Sequence, residues 1–368
     1  MAKLTTNQLK LLLGILPPAL LILVSLALYC LIARRSSSAP SANAVQDEEK
    51  QRPQPKRVAE QEEALTTFEG GEDLTIADIL EAPGEVIGKS GYGTVYKAAL
   101  EQCSTVNLLR FLRPTCSAKT EEVGEVTGLL GSIRHPNLVP LQAFYAGPRG
   151  EKLLVHPFYR FKNLAQFIRD ENEECHKWLV IHKISAGIAK GLDHLHSGLP
   201  KPVIHGNLKS KNILLDRNLS PYISDFGLHL LLNSATGQEM LEAAAVQGYK
   251  APELIKMRDC NAETDVYGLG VILLEILTGK EPVNEKPSAP GEDYYLTNTM
   301  RNAILDDRIS DLFHPDILLS RCSNGSRVTE ERVLKFFQLA MACCSPSPAL
   351  RPCAKQVVAK LEEISSCI

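Results

Sequence analysis

The segment Val203-Ile-His-Gly-Asn-Leu-Lys-Ser-Lys-Asn-Ile-Leu-Leu-Asp216, followed nine residues later by Asp225-Phe-Gly227, decides the fold of this chain. The apolar runs at its two ends are typical of short strands, and the polar residues between them are typical of a loop. The segment therefore predicts a loop between strands that presents polar side chains, with a carboxylate close behind it.

This segment resembles the catalytic loop of protein kinases, in which a His-Arg-Asp triplet is followed by Asn and then by Asp-Phe-Gly. The resemblance implies that Asn212 and Asp225 bind metal and that Lys209 belongs to the catalytic group. The aspartate that accepts the substrate proton is replaced, because the triplet here is His205-Gly206-Asn207. An amide has no basic lone pair near neutral pH, so this asparagine can orient a hydroxyl but cannot take its proton.

Further motifs at kinase distances extend the resemblance along the chain, which is similar to the cytoplasmic part of plant leucine-rich-repeat receptor-like kinases. The resemblance implies an α+β fold of two lobes, a small β-rich N-lobe and a large helical C-lobe, over residues 68–368. It also implies ATP and Mg²⁺ as cofactors. Other membrane receptor-like kinases or signalling proteins are the partners that it implies.

A glycine-rich hairpin is predicted where Ile87–Ala98 resembles the kinase hairpin that covers the phosphates of ATP. Gly88 and Gly93 match its first and third glycines, and Val95 follows them, but Ser90 stands at the second glycine position. Glycine allows backbone N–H groups to approach phosphates closely. We therefore expect a nucleotide site that is present but weakened.

The strand Thr105–Leu112 should carry the lysine that pairs with the phosphates, and the apolar pattern aligns Arg110 there. Arginine keeps the charge but presents a larger planar group. In the following helix, 120–134, the family spacing places Val126 where the glutamate partner of the lysine should be. Glu125 lies one residue away and about 100° round the helix. Either the ion pair is lost, or an offset of one residue restores it.

One transmembrane helix is predicted at residues 11–33, an uncharged run of apolar and small residues that follows the short segment 1–10. Its length suffices to cross about 30 Å of hydrocarbon. A cleaved signal peptide is the competing interpretation, but its apolar region would be unusually long. More basic residues follow the run than precede it, so we expect a single-pass plasma-membrane protein whose kinase-like domain is cytoplasmic.

Composition excludes several other classes. Residues 34–67 are poor in bulky apolar side chains and predict a flexible juxtamembrane linker. No leucine-rich period is present, so no repeat ectodomain is expected. The formal net charge of −3, with acids and bases interspersed, gives no field that attracts nucleic acid. The 10 cysteines lack the paired spacing of zinc sites and are expected to be reduced thiols.

Three hypotheses follow for the activity. The first is a membrane-anchored pseudokinase that acts by binding proteins and binds ATP weakly at best. The second is a weakly active Ser/Thr protein kinase in which Arg110 and another group compensate for the lost residues. The third is an adaptor that binds no nucleotide. The activation segment offers few hydroxyls for phosphorylation, namely Ser234, Thr236 and Tyr249.

Overall fold

The computed structural model describes a two-lobed fold whose sheet and helices begin at Ala64 and end at Ser366. The predicted membrane span, 11–33, lies outside the described residues. No helix in the part of the chain that the structure describes is long and apolar enough to cross a membrane. The described residues are 64–366, except 101–104, 119, 161, 171–172, 256–259, 288–291, 310–312, 323–324 and 326.

The N-lobe contains a six-stranded antiparallel sheet with the strand order β1-β5-β6-β4-β3-β2. Strand β1 pairs with β5 and lies inside the stretch predicted as a linker, 34–67. Its cross-strand pairing means that the folded domain begins by Ala64 and not at Phe68. The strands are β1 (Ala64–Thr67), β2 (Gly84–Lys89), β3 (Gly93–Leu100), β4 (Thr105–Leu112), β5 (Ala143–Ala146) and β6 (Lys152–Pro157).

The two faces of this sheet have different tasks, because side chains alternate along a strand. On the outer face, Leu109 and Val155 pack with Ile79 of helix α1 (Ile76–Glu81) in a small apolar cluster. The opposite face turns toward the other lobe and carries Arg110 on β4. In the sheet register Arg110 lies between Val95 of β3 and Leu154 of β6.

The C-lobe is helical and is built around a buried helix, α6. All positions of α6 from Thr264 to Leu277 are buried, which is expected of a helix that is apolar on every side. Apolar residues at helical spacing predict a helix over Trp178–Ser197, and the structure has this helix with the same bounds. The remaining elements of the domain are α2 (Thr120–Ser132), α3 (Leu164–Arg169), α4 (Trp178–Ser197), β7 (Ile213–Leu215), β8 (Pro221–Ile223), α5 (Ser234–Val246), α6 (Ala262–Thr278), α7 (Leu296–Leu305), α8 (Asp316–Leu319), α9 (Glu330–Cys343) and α10 (Ala354–Ser366).

An ion pair connects the end of the activation segment to the last helices. Arg351 donates to both carboxylate oxygens of Glu253, at 2.5 and 2.8 Å, and also to the backbone oxygen of Glu263 at 2.9 Å. The guanidinium is buried, so the bidentate geometry compensates for the loss of its water. This contact fixes the C-lobe face on which the catalytic loop lies.

Candidate functional site

The catalytic loop is held by a buried carboxylate in the first turn of α6. Asp265 accepts hydrogen bonds from the backbone N–H groups of His205 (2.7 Å) and Gly206 (2.9 Å). Its third contact is His196 Nε2 at 2.9 Å. Burial acts to raise the pKa of Asp265, but the bonds from His196 and from the loop outweigh it and lower the pKa. The loop therefore has the fixed backbone that a catalytic loop needs.

Asn207 occupies the centre of this loop and is buried. Its N–H donates to His205 Nδ1 at 3.2 Å, and its carbonyl oxygen accepts from Asn212 Nδ2 at 3.0 Å. Its side-chain Oδ1 has no hydrogen-bond partner among the described residues. An amide oxygen in this position can accept a hydrogen bond from a hydroxyl but cannot act as a base. Nearby, burial lowers the pKa of Lys209.

The carboxylate expected to bind metal is occupied by an arginine. Arg110 Nη2 lies 2.6 Å from Asp225 Oδ1 and 2.7 Å from Oδ2, and each side chain is only 14% exposed. Asp225 has a left-handed backbone with φ of 64°. Charge-assisted bonds of this length are strong. In this structure the guanidinium faces Asp225 from the position at which a kinase lysine would face phosphate.

Neither of the two candidate positions in helix α2, Glu125 and Val126, presents an acid to Arg110. Glu125 is exposed to solvent, whereas Val126 is half-buried and packs against the main core. Val123 and Leu130 are buried on the same side of the helix as Val126. The geometry therefore corresponds to the first of the two alternatives, a lost ion pair.

The glycine-rich hairpin is closed by the side chain that replaces the second glycine. Ser90 N–H donates to Gly93 O at 2.9 Å, and Gly93 N–H donates to Ser90 Oγ at 3.1 Å. A Cβ on Gly93 would lie 2.3 Å from Phe111 O, so only glycine fits there. Gly88 is in register with Val95, next to a bulge in β2. The hairpin is present as predicted, and the Ser90–Gly93 bonds close its turn.

Tyr92, at the tip of the hairpin, was not recognised from the sequence. Its ring packs against the main core, and the charges of Asp225 and Arg110 both act on its hydroxyl. Burial, followed by the charge of Asp225, raises the pKa of Tyr92. Tyr92 therefore lies near the Arg110–Asp225 pair. A phosphate group would need this space.

Leu108 was also missed, although a sequence signal was available. In kinases the strand that carries the lysine reads Val-Ala-Ile-Lys, whereas β4 of this chain reads Asn107-Leu108-Leu109-Arg110. Leu108 thus stands where the family has a small alanine. It shares a strand face with Arg110 and is in register with Lys97 and His156.

A small cavity lies behind the Arg110–Asp225 pair. Its volume is about 20 Å³, and His156 and Leu130 contribute to its wall. Such a space holds about one water molecule. His156 Nδ1 lies 3.0 Å from Pro140 O, and burial lowers the pKa of this histidine, so the cavity wall carries a neutral ring.

The activation segment forms a helix, α5, that sequence analysis did not predict. Asn233 caps α5 and is itself anchored, because its N–H and Nδ2 donate to Cys116 O and Thr115 O, each at 2.8 Å. At the other end, Tyr249 OH contacts Ser210 Oγ at 2.8 Å and donates to Glu275. The Asn cap and the alanine run of the segment were the available signals.

His229, two residues beyond Gly227, packs on the catalytic loop. Gly206 has φ of 78°, and a Cβ on it would lie 2.5 Å from His229 Nδ1. Burial lowers the pKa of His229. The histidine therefore fills space that is free because the triplet has glycine where kinases have arginine.

Known proteins similar to this chain are protein kinases and kinase-like proteins. The protein kinase domain family matches residues 82–361. The chain is 40% identical over 303 residues to the kinase-like protein TMKL1 of Arabidopsis thaliana, covering 81% of this chain and 44% of that protein. It is 39% identical over 301 residues to the probable leucine-rich repeat receptor-like protein kinase IMK3 of the same plant, covering 82% and 37%. The chain thus spans less than half the length of these relatives.

Two solved structures share the fold. The kinase domain of maize SIRK1, sucrose-induced receptor kinase 1, bound to AMP-PNP, has a TM-score of 0.71 and 28% identity, covering 82% of this chain and 100% of that one. The pseudokinase domain of BIR2, an immune regulator of the RLK/Pelle family, has a TM-score of 0.65 and 28% identity, covering 82% and 89%. The chain therefore belongs to the protein kinase domain family, and its homologues include plant receptor-like kinases.

Proposed function

We propose that this protein is a membrane-anchored, receptor-like signalling protein whose kinase domain is a pseudokinase and acts by binding other proteins. The observation that carries this proposal is the contact of Arg110 Nη2 with both carboxylate oxygens of Asp225, the oxygens that would bind metal. Asn207 adds a second loss, because it has no basic site. The fold is retained around both changes.

The size of these losses supports the proposal. A positioned proton acceptor contributes about 10²–10⁴ in rate. Phosphoryl transfer also depends on a metal ion that bridges the phosphates and neutralises the developing charge. The chain lacks the acceptor at Asn207, and its metal-binding carboxylate is paired with Arg110. Each change alone would slow transfer severely, and the two act on the same step.

Nucleotide binding is proposed to be weak at best. Asn212 and Asp225 would be the metal ligands, and Gly88, Ser90, Gly93, Val95 and Arg110 would line the ATP site. The AMP-PNP complex of the maize receptor kinase supports nucleotide binding by this fold. The Ser90 contacts and the Arg110–Asp225 pair of this chain argue for low affinity.

A phosphotransfer assay tests the proposal. We expect the purified domain, free of other kinases, to transfer no radiolabelled phosphate from ATP to itself or to a general substrate above an Asp225→Ala control. Melting curves should first show that both proteins are folded. Transfer clearly above the control would support the alternative, a weakly active Ser/Thr kinase, and would overturn the pseudokinase assignment.

Membrane placement is part of the same proposal. The run at 11–33 would anchor the chain in the plasma membrane with the kinase-like domain in the cytoplasm, and membrane receptor-like kinases or signalling proteins would be its partners. We expect protease added outside intact cells to leave the domain uncut, because the bilayer shields it. Permeabilised cells provide the control, in which the domain should be cut. Digestion in intact cells would reverse the proposed topology.

A further inference from the structure

We propose that the side chains of the cleft itself keep nucleotide out, and that Tyr92 and Leu108 are the two residues that decide this exclusion. We call Ser90, Tyr92, Arg110 and Asp225 together the closed phosphate site, because Ser90 closes the hairpin turn, Arg110 pairs with Asp225 and Tyr92 lies near that pair. This inference deepens the proposed function, since it explains by which residues a kinase cleft loses its ligand.

The first step concerns the backbone donors of the hairpin. In kinases these N–H groups point at the phosphates. Here the N–H groups of Ser90 and Gly93 are both used inside the turn, at 2.9 and 3.1 Å. The Tyr92 carbonyl accepts from Arg113 N–H at 2.9 Å, which fastens the tip to the end of β4. A phosphate would have to break these bonds before it could use the donors.

The second step concerns charge. An isolated arginine in a cleft attracts phosphate, but Arg110 is already neutralised by Asp225 at 2.6 and 2.7 Å. The pair is only 14% exposed on each side, so solvent screens it weakly. The charges of Arg110 and Asp225 both act on the Tyr92 hydroxyl, so the tyrosine lies near the pair, and its ring packs against the main core. ATP would therefore meet an engaged cation and an aromatic ring in the space of its phosphates.

The third step concerns the adenine side of the cleft. Leu108 lies on the strand face that carries Arg110 and is three carbons larger than the alanine of the family pattern. The ammonium of its register neighbour Lys97 lies 5.3 Å from the centroid of the Phe158 ring. Phe158 ends the segment Lys152–Phe158, which resembles the strand and hinge that receive adenine in kinases. Side chains therefore crowd both ends of the nucleotide site.

The test is a gain of binding. We would measure binding of the fluorescent analogue TNP-ATP, with competition by ATP, in Mg²⁺ and in EDTA. Wild type should show at most very weak binding, and Tyr92→Ala combined with Leu108→Ala should bind at least tenfold more tightly. Tyr294→Ala, which removes an exposed tyrosine of the C-lobe, is the matched control and should behave as wild type.

Two further variants keep the test decisive if the double variant is unstable. Ser90→Gly removes the side chain whose hydroxyl closes the turn and should also raise the affinity. Tyr92→Phe keeps the ring and should raise it less than Tyr92→Ala. Sub-micromolar binding by wild type, or folded variants without any gain, would overturn the inference. Neither result touches the pseudokinase proposal, which depends on phosphotransfer and not on affinity.

Discussion

Asn207→Asp alone is expected to restore no measurable phosphotransfer, whereas Asn207→Asp combined with Arg110→Lys is expected to restore activity clearly above it. The single change supplies a base, but Arg110 would still hold both oxygens of Asp225. Lysine would replace the larger planar guanidinium by the compact ammonium that kinases place against the phosphates. Residues that act as one unit are strongly non-additive, so the pair should exceed the sum of the single changes.

The measurement is transfer of radiolabelled phosphate by the purified domain, with each variant checked by its melting curve. Asp225→Ala in the double-variant background is the control and should abolish the gained activity, since it removes the metal ligand. Activity in the single variant would show that Arg110 does not block Asp225. Equal inactivity of both variants would place the main defect elsewhere, for example in α2, where Val126 stands at the position of the glutamate.

The parts of the fold that could be predicted from sequence are those with a local pattern. Helix α4 follows from apolar residues at helical spacing, and its bounds are as predicted. Asp265, which binds the catalytic loop, and Glu253, which pairs with Arg351, stand in two short runs that resemble kinase motifs, Asp265-Val-Tyr-Gly-Leu-Gly270 and Ala251-Pro-Glu253. In each case a few residues in a fixed order determine the contact. Strand β1 begins four residues before the predicted start of the domain. The sequence pattern does not show this strand, because it depends on its pairing with β5.

The closure of the cleft could not be predicted in the same way. Ser90 and Arg110 were identified as departures from the family pattern, but their partners were not. The pairing of Arg110 with Asp225 joins residues 115 positions apart. Tyr92, in the turn between β2 and β3, lies near this ion pair. Such contacts depend on side-chain placement across two lobes, and a sequence pattern records only spacing along one element.

These comparisons suggest how the chain departs from an active kinase. The backbone supports of the catalytic loop are retained, whereas the groups that handle phosphate, metal and proton are changed or engaged. The changes are also matched to one another. Arg110 has found a carboxylate partner, and His229 occupies the space above Gly206. An unpaired buried charge at Arg110 or an empty space above Gly206 would cost free energy, and these two partners prevent both.

The fit of His229 against Gly206 leads to the largest expected effect on stability. Gly206→Ala should destabilise the domain by about 2–5 kcal/mol, because alanine pays for a left-handed φ and its Cβ would meet the imidazole. In a His229→Ala background only the backbone strain of about 1–2 kcal/mol should remain. The two changes should therefore show a coupling energy of about 1–3 kcal/mol in a double-mutant cycle.

The cycle is measured from urea unfolding curves of the four proteins, with the slope checked for constancy. Gly279→Ala is the matched control, because Gly279 has φ of 68° but a Cβ there would meet no heavy atom within 4 Å. It should cost only the strain and show no coupling to His229→Ala. If Gly206→Ala costs no more than Gly279→Ala, or if its cost is the same with and without the imidazole, then His229 does not hold the activation segment on the catalytic loop.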